Sequence, residues 1–327
     1  MRIPTTKQAR LGFAVALLAW AGAAVAQTAA YPDKPIRFIV PYPPGGGTDV
    51  IARIVQARFQ QALGQQIVIE NKGGAGGSVG TEVAAKAAPD GYTVLFTLSS
   101  HTINPAIFPK LNFDTAKDFE PVGTVASLPQ ILVTNPQFAA NTVAEMTAMA
   151  KAKPGTVQFA SVGNGSPGHL AGELQAIRTG APLTHIPYRG GGPAVTDTIG
   201  GQVSTLWVSI PAAAQFVKQG KLKALAVSTV KRSAAFPQVP TMQVAGVADF
   251  EVDSWYAMFV PAKTPRAVIE RLNKALNDVI GDPEVRDRLL AQGAEGVGGT
   301  PEALAKVVAA ELPTWAKLAK DANIKPD

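Results

Sequence analysis

The chain has 327 residues, no cysteine and a formal net charge of +6. Without cysteine it has no disulfide framework, no thiolate chemistry and no lipid-modified cysteine anchor, so its stability must come from its hydrophobic core. The mild positive charge is not gathered into a basic stripe, and we therefore expect no nucleic-acid partner.

The N-terminus has the layout of a secretory signal peptide. Three basic residues precede an apolar run over residues 11–21, and residues 24–26 read Ala-Val-Ala before the expected cleavage point. The run is shorter than the ~20 residues of a membrane span. We predict that residues 1–26 are removed on export to the periplasm. Removal of its three positive charges lowers the formal net charge from +6 to +3.

The mature chain alternates predicted strands with amphipathic helices, which is typical of an α/β fold. In the first block, strands are predicted at residues 36–41, 66–70 and 93–97, and helices at 48–63 and 78–87. After residues 121–133 the second block has helices at 142–153, 169–178, 193–199 and 211–218, and strands at 157–161, 183–187, 203–208 and 222–228. Helices at 265–280, 283–292 and 301–322 follow, with no strands predicted among them.

Because these last helices have no strands of their own, we expect them to pack on the first block. The chain then crosses twice between two domains, near residues 121–133 and 248–260, and the two crossovers form a hinge. We predict that domain one comprises residues 27–122 plus 253–327, and that domain two comprises residues 123–252.

Three glycine-rich turns each follow a predicted strand and open a helix. They are PYPPGGGTD from Pro41, SVGNGSPGHL from Ser161 and PYRGGGPAVTD from Pro187. Thr48 and Asp49 are residue types that cap the first of these helices. A helix N-terminus offers unpaired N–H groups and a positive dipole end, which suit an anion. A single such turn is equally well explained by tight-turn geometry, but three together favour a ligand in the hinge cleft.

Nucleotide and metal sites are not indicated. Residues 163–168 formally match G-x-G-x-x-G, but Tyr188 and Arg189 stand where an acidic residue would hold a ribose, and no turn carries a P-loop lysine. The three histidines lack metal-ligand spacing and have no cysteine partners. We therefore expect neither a cofactor nor a metal.

Three serines leave a periplasmic hydrolase as an alternative. Residues 76–80 formally match the G-x-S-x-G nucleophile elbow, but a long glycine loop separates Ser78 from its strand, so a helix cap is the better interpretation. Ser99 and Ser100 adjoin His101, yet adjacent residues at a strand end point apart. The loop over residues 70–82 is a fourth glycine-rich segment, which we interpret as a flexible connection or an interaction surface.

Four segments together resemble a known family. YPDKPIRFIVPYPPGGGTDVIAR, GYTVLF, FASVGNGSPGHLAGEL and HIPYRGGGPAVTDTIGGQV follow in this order behind the signal peptide. They resemble the Bug, or tripartite tricarboxylate transporter (TctC-like), extracytoplasmic solute receptors of Gram-negative bacteria, over essentially the whole mature chain. The resemblance implies a periplasmic Venus-flytrap binding protein that delivers a small carboxylate to a membrane permease. It also implies a monomer without enzymatic activity, in which each domain has a mostly parallel sheet flanked by helices and the cleft lies between the domains.

The resemblance further implies that backbone N–H groups and ordered waters hold the ligand carboxylate at the first strand-to-helix turn, here residues 42–48. The predicted ligand-binding residues are Tyr42, Pro43, Gly45, Gly46, Thr48, Ser99, Ser100, Gly163, Asn164, Gly165, Ser166, Tyr188, Arg189, Gly190 and Gly191. Citrate-like acids, acidic amino acids and aromatic acids such as nicotinate or terephthalate all remain candidates. A ligand sensor for a membrane kinase is a further alternative.

Overall fold

The computed structural model describes residues 31–108, 110–127, 129–252 and 254–321. Every element below belongs to one compact unit that begins at Lys34. The predicted signal peptide, residues 1–26, lies outside the described residues.

Alternation of strands and helices runs along the described chain, as predicted. The strands are β1 (Ile36–Val40), β2 (Ile67–Asn71), β3 (Thr93–Leu98), β4 (Phe119–Ser127), β5 (Gln130–Thr134), β6 (Gln158–Ser161), β7 (Thr184–Pro187), β8 (Thr205–Ser209), β9 (Lys223–Val227), β10 (Trp255–Pro261) and β11 (Gly296–Gly298). The α-helices are α1 (Gly47–Leu63), α2 (Ser78–Ala85), α3 (Ser100–Ile107), α4 (Val143–Ala152), α5 (Pro167–Thr179), α6 (Gly191–Ile199), α7 (Ile210–Lys218), α8 (Arg266–Gly281), α9 (Pro283–Ala291) and α10 (Pro301–Asp321).

The strands form two sheets, one in each half of the fold. The larger sheet has the order β11-β4-β10-β3-β1-β2, and the smaller has the order β7-β6-β8-β5-β9. We call the larger sheet with α1–α3 and α8–α10 lobe one, and the smaller sheet with α4–α7 lobe two. Each sheet has flanking helices, so the predicted α/β class agrees with this architecture.

Both sheets are mostly parallel in strand direction, as predicted, and each also contains antiparallel pairs. Strands β1, β2 and β3 pair in parallel, as do β6, β7 and β8. By contrast β10 is antiparallel to both β3 and β4, and β5 is antiparallel to both β8 and β9. Parallel pairing requires a helical crossover between strands of one sheet. Strand β10 thus runs against β3 and β4, which share one direction, and β5 runs against β8 and β9.

Strand β5 shows how the smaller sheet is covered on both faces. Ile131 and Val133 pack in one hydrophobic core, whereas Leu132 packs in another with Phe159 and Trp207. Successive side chains of a strand point to opposite faces, so the two cores lie on opposite sides of the sheet. This burial on both faces explains why β5 and β8 are buried along their whole length.

The chain passes from β4 in the larger sheet to β5 in the smaller, and returns from β9 to β10. On the lobe-two side, Ser228 links the two passages. Gln130 N–H donates to Ser228 Oγ (3.0 Å), and Ser228 Oγ donates to the carbonyl of Val252 (2.8 Å). The predicted domain boundary at 122/123 falls within β4, which stays in the larger sheet up to Ser127. The domain boundaries therefore stay a prediction.

Helix α3 was not predicted, because its sequence is polar at the start and contains Pro105. A proline inside a helix removes the N–H that would bond to the carbonyl four residues earlier. That carbonyl belongs to His101, and the Thr115 hydroxyl donates to it instead at 2.9 Å. Tertiary contact thus replaces the hydrogen bond that the sequence of α3 cannot supply.

Helices α8 and α10 pack on lobe one, where α8 contacts α1 and β4, and α10 contacts α3 and β4. The expectation that this region has no strand is wrong. Gly296 and Gly298 of the short strand β11 pair with Ala126 and Thr124 of β4. Three residues with two glycines carry too little side-chain pattern to predict a strand.

Candidate functional site

The first two glycines of the triplet shape the turn between β1 and α1. Gly45 has φ of +80°, a conformation that favours glycine. Gly46 is the N-cap residue of α1, and no side chain caps the helix there. The prediction that Thr48 or Asp49 caps this helix is therefore wrong, because α1 begins at Gly47 and both residues lie within its first turn.

Asp49 holds the turn from inside the helix. Its carboxylate accepts hydrogen bonds from Gly45 N–H (3.0 Å), Arg53 Nε (2.9 Å) and Asn71 Nδ2 (3.1 Å). Burial alone would raise the pKa of the Asp49 carboxyl, but these hydrogen bonds together lower it below its usual value. Asp49 is therefore ionised. Its carboxylate already accepts from Gly45 N–H, so this N–H group is not available to bind a ligand carboxylate.

The third glycine, Gly47, is the place where the two lobes come closest. A Cβ on Gly47 would overlap Ser209 Oγ of lobe two and would lie 2.6 Å from the Tyr256 hydroxyl of lobe one. Only a residue without a side chain fits there. The triplet thus combines a turn residue, an N-cap residue and a residue that permits contact between the lobes.

A small cavity of about 20 Å³ lies between the lobes beside Gly47. Its lobe-one wall consists of Tyr42, Gly46, Gly47, Thr48 and Leu98. Its lobe-two wall consists of Gln130, Val162, Pro167, Gly191 and Ser209. None of these ten residues carries a charged side chain.

Four helices begin at this cavity. Gly47, Pro167 and Gly191 are the first residues of α1, α5 and α6, and Ser209 is the N-cap residue of α7. Each helix N-terminus carries a partial positive charge of about +0.5 and N–H groups without partners inside the helix. The cavity therefore has a positive potential of backbone origin, which suits an anion.

Four of the predicted residues line the cavity: Tyr42, Gly46, Thr48 and Gly191. The cavity lining also contains residues that are not among the predicted ligand-binding residues: Gly47, which lies within the predicted turn, and Leu98, Gln130, Val162, Pro167 and Ser209. A signal for Ser209 was present in the sequence, since a serine followed two residues later by a proline is typical of a helix start.

Ser99 and Ser100 lie at the turn from β3 to α3, next to Tyr42. Ser99 is the N-cap residue of α3, and its hydroxyl contacts that of Ser254. Ser100 is 1% exposed, and its Oγ has no hydrogen-bond partner of acceptable geometry among the described residues. Burial raises the pKa of Tyr42 to about 12 despite the nearby hydroxyls of Ser100 and Thr97. Both serines therefore lie behind Tyr42 and outside the cavity lining.

The loop over residues 163–166 uses its own N–H groups. Gly163 N–H donates to Ser161 Oγ (3.1 Å), and Gly165 N–H donates to His169 Nδ1 (3.3 Å). Ser166 N–H donates to the carbonyl of Gly163, and the Ser166 side chain accepts from His169 N–H as the N-cap of α5. These N–H groups form hydrogen bonds within lobe two, so fewer of them than predicted are available to a ligand in the cavity.

Asn164 places the same loop against lobe one. A Cβ on Gly76 would lie 2.6 Å from the carbonyl oxygen of Asn164. The carbonyl of Gly76 accepts hydrogen bonds from Asn104 Nδ2 (3.0 Å) and from the Tyr42 hydroxyl (3.4 Å). The fourth glycine-rich segment thus forms part of the contact between the lobes.

The turn between β7 and α6 places its predicted residues at the rim. The Tyr188 hydroxyl donates to Asp197 (2.9 Å), and burial with the Asp197 charge raises the pKa of Tyr188 to about 12. Arg189 is exposed. Gly190 has φ of +134° and packs on Pro43, since a Cβ on Gly190 would lie 2.6 Å from the Pro43 ring. Tyr188, Arg189, Gly190 and Pro43 do not line the cavity.

In the part of the chain that the structure describes, the serines and histidines give no nucleophile–base pair at this site. Ser78 Oγ accepts from Asn104 Nδ2 at 3.4 Å, and His101 is buried beside Phe113, Phe119 and Phe259. A contact of 2.7 Å does join Ser161 Oγ to His185 Nε2. Ser161 is 0% exposed, however, so a substrate cannot reach its hydroxyl.

The described residues contain no group of His, Cys, Asp and Glu side chains that fits a metal ion. Among the same residues, none of the helices has both the length and the apolar character required to cross a membrane.

Comparison with known proteins gives the family. The family model for the tripartite tricarboxylate transporter family receptor matches residues 51–324. Protein BugT of Bordetella pertussis is 39% identical over 297 residues, which cover 90% of this chain and 91% of BugT.

Solved structures give the same fold. The periplasmic binding protein BugD is 34% identical with a TM-score of 0.87, and the match covers 91% of this chain and 100% of BugD. The R. palustris protein Rpa4515, solved with adipate, is 32% identical with a TM-score of 0.88, again over 91% of this chain and 100% of that protein. Both similarities confirm the predicted two-domain α/β fold of periplasmic binding proteins.

The resemblance to Bug and TctC-like receptors is confirmed by these matches. The hydrolase alternative is wrong, because the matched family consists of solute-binding receptors. Since the family model covers most of the chain and BugT matches it along nearly its whole length, this chain belongs to the tripartite tricarboxylate transporter family of receptors.

Proposed function

We propose that this receptor binds a small carboxylate between its two lobes, at the cavity where α1, α5, α6 and α7 begin. The observation that carries the proposal is the convergence of these four helix N-termini on a cavity without a charged side chain in its lining. Their summed partial charge of about +2 is of the size that offsets a dicarboxylate. Adipate bound to Rpa4515 supports a ligand of this class.

The ligand must enter by separation of the lobes. A cavity of about 20 Å³ is comparable to the space of one water molecule, ~30 Å³ in the liquid, and no dicarboxylate fits into it. The domain division that we propose for this motion is residues 27–122 plus 253–327 against residues 123–252, and the link through Ser228 supports a hinge at the two passages between the sheets. Closure around the ligand is then a hinge motion.

Within the site we assign direct contacts to Tyr42, Gly46, Thr48 and Gly191, the predicted residues that line the cavity. We propose that the other predicted residues surround these four and support the turns on which they lie. Those residues are Pro43, Gly45, Ser99, Ser100, Gly163, Asn164, Gly165, Ser166, Tyr188, Arg189 and Gly190.

The biological setting follows from the family. We propose that residues 1–26 export the receptor to the periplasm, where it works as a monomer and delivers its ligand to the membrane permease subunits of a tripartite tricarboxylate transporter. The match to the receptor model and the similarity to the periplasmic protein BugD support this setting.

Isothermal titration calorimetry tests the carboxylate proposal. The panel contains adipate, malate, citrate, aspartate, nicotinate and terephthalate, each paired with its amide or methyl ester. At least one carboxylate should bind much more tightly than its neutral partner, because the helix dipoles stabilise an anion more than a neutral group. At 100 times its Kd, that ligand should also stabilise the fold by about 2.7 kcal/mol in a thermal-shift assay. Equal binding of the neutral partner, or no binding across the panel, contradicts the proposal.

A further inference from the structure

Tyr256 of β10 has a buried hydroxyl that the protein itself does not satisfy. Its side chain is 0% exposed, and the hydroxyl has no hydrogen-bond partner of acceptable geometry among the described residues. A buried polar group without a partner costs free energy, so such groups are rare in native structures. A buried hydroxyl without a partner, placed where the two lobes meet, indicates that a bound molecule accepts its hydrogen bond.

The position of this hydroxyl is at the meeting point of the lobes. It lies 2.6 Å from the Cβ that Gly47 would carry, and Ser209 Oγ is next to the same position. Gly47 and Ser209 both line the cavity, one from each lobe. Tyr256 itself belongs to the larger sheet, so its backbone is held by β3 and β4 on either side.

The nearest side-chain groups to the Tyr256 hydroxyl are themselves hydroxyls, that of Ser209 above all, and these can donate as well as accept. The first turn of α1 adds N–H groups without partners inside the helix. Burial raises the pKa of Tyr256, so the phenol keeps its proton at physiological pH and can donate. None of these groups is a charged acceptor, whereas a carboxylate has two oxygens that act only as acceptors.

We propose that Tyr256 is a specificity-determining ligand contact, whose hydroxyl donates a hydrogen bond to a carboxylate oxygen of the solute at the N-terminus of α1. This inference rests on the proposed carboxylate-binding function and adds a side-chain contact to it. An amide has only one acceptor oxygen, so when that oxygen accepts from Tyr256, its NH2 group faces the N–H groups of α1 instead of accepting from them. Tyr256 therefore discriminates between a carboxylate and the corresponding amide, which the helix dipoles alone do less sharply.

The test is the variant Tyr256→Phe, which removes only the hydroxyl. Tyr92→Phe is the matched control, because Tyr92 lies just before β3, its ring packs against Lys34, and it is not one of the residues placed at the contact between the lobes. Calorimetry with the carboxylate from the panel above that binds the wild type best gives Kd for all three proteins. We expect Tyr256→Phe to raise Kd about tenfold or more, to leave the melting temperature unchanged or higher, and to narrow the ratio between the affinities for carboxylate and amide. Tyr92→Phe should keep the wild-type Kd.

The two proposals fail in different ways. A wild type that binds no carboxylate contradicts the proposed function and the role of Tyr256 with it. A wild type that binds a carboxylate, together with a Tyr256→Phe variant of the same Kd and the same selectivity over the amide, overturns the role of Tyr256 alone.

Discussion

Gly47 of lobe one lies so close to Ser209 of lobe two that a side chain on Gly47 would occupy the position of Ser209 Oγ. The conformation in which the lobes touch therefore depends on glycine at this position. We expect Gly47→Ala to raise the Kd of the best carboxylate about tenfold or more, a loss of about 1.4 kcal/mol, because the added methyl group keeps the lobes apart. Calorimetry on the purified variant measures the effect.

Gly281→Ala is the control for Gly47→Ala. Gly281 is the last residue of α8 and does not line the cavity, and its Cβ would meet no other atom within 4 Å. Its Kd should stay within about threefold of the wild type, a difference below ~0.7 kcal/mol. If both variants bind like the wild type, contact between Gly47 and Ser209 is not part of binding.

Ligand binding should make the receptor more compact. Contact between the lobes brings the N-terminus of α1 toward those of α6 and α7, and like partial charges repel unless an anion lies between them. The ligand therefore shifts the population toward the conformation in which the lobes touch. Small-angle X-ray scattering should give a smaller radius of gyration at ligand saturation, and an unchanged radius would count against closure.

Asp49→Ala should reduce both stability and affinity. The substitution removes the acceptor of Gly45 N–H and one of the two acceptors of Asn71 Nδ2, and such partly buried hydrogen bonds contribute about 0.5–1.5 kcal/mol each. The glycine turn then loses the group that orients it, so Kd should rise as well. Urea denaturation and calorimetry give the two quantities.

Asp278→Ala is the control for Asp49→Ala. Asp278 forms an ion pair with Lys274 one helical turn away (2.6 Å), but both side chains are exposed. Exposed pairs of this kind contribute about 0.3–0.5 kcal/mol. If Asp278→Ala loses as much stability as Asp49→Ala, the hydrogen bonds of Asp49 contribute no more to the free energy of unfolding than an exposed ion pair does.

Mild acid should destabilise the fold through two buried histidines. Burial lowers the pKa of His101 to about 3, and burial with the nearby His169 lowers that of His185 to about 3. The unfolded chain takes up a proton near pH 6.5, whereas the folded chain does not until about pH 3. The free energy of unfolding should therefore fall as the pH drops below 6.5, by up to about 1.4 kcal/mol per pH unit for each histidine.

His101→Phe separates the contribution of His101 from the rest. Both ring nitrogens of His101 lack partners among the described residues, and its neighbours Phe119 and Phe259 have ring centroids 4.9 Å and 4.6 Å away, so a phenyl ring suits the site. Urea denaturation between pH 7 and pH 5 should give a shallower pH dependence for the variant. If the free energy of unfolding depends on pH equally in variant and wild type, the pKa of His101 does not differ between the folded and the unfolded chain.

The sequence predicts features that are local along the chain. The turn after β1 is one of these, because a short apolar strand, three glycines and an amphipathic helix lie within about thirty residues of each other and indicate the same structure. Gly46, Thr48 and Gly191, which line the cavity, could be predicted from local sequence patterns of this kind. Patterns of this kind, however, do not say which strand ends meet in space.

The features that were missed depend on tertiary structure. Gln130 and Ser209 reach the cavity together because β5 and β8 pair there. The local sequence marks Ser209 as a helix start, but it does not indicate that either residue lies at the cavity. Tyr256 lies in the apolar run WYAMFVP, in which an aromatic residue is by default a core residue. Its role became visible only with the position of its hydroxyl.

Glu311 of α10 supports the binding site from a part of the chain that the ribosome synthesises late. Its carboxylate accepts from Trp255 Nε1 (3.0 Å) and from the Thr102 hydroxyl (2.5 Å), and so ties the start of β10 and the start of α3 to a helix nearly 200 residues further along than Thr102. The turn behind Tyr42 and the strand that carries Tyr256 therefore have their final support only after α10 has been made. A nascent chain that ends before residue 301 has both lobes' sheets almost complete but lacks this support, so ribosome-bound and truncated forms should not capture solute.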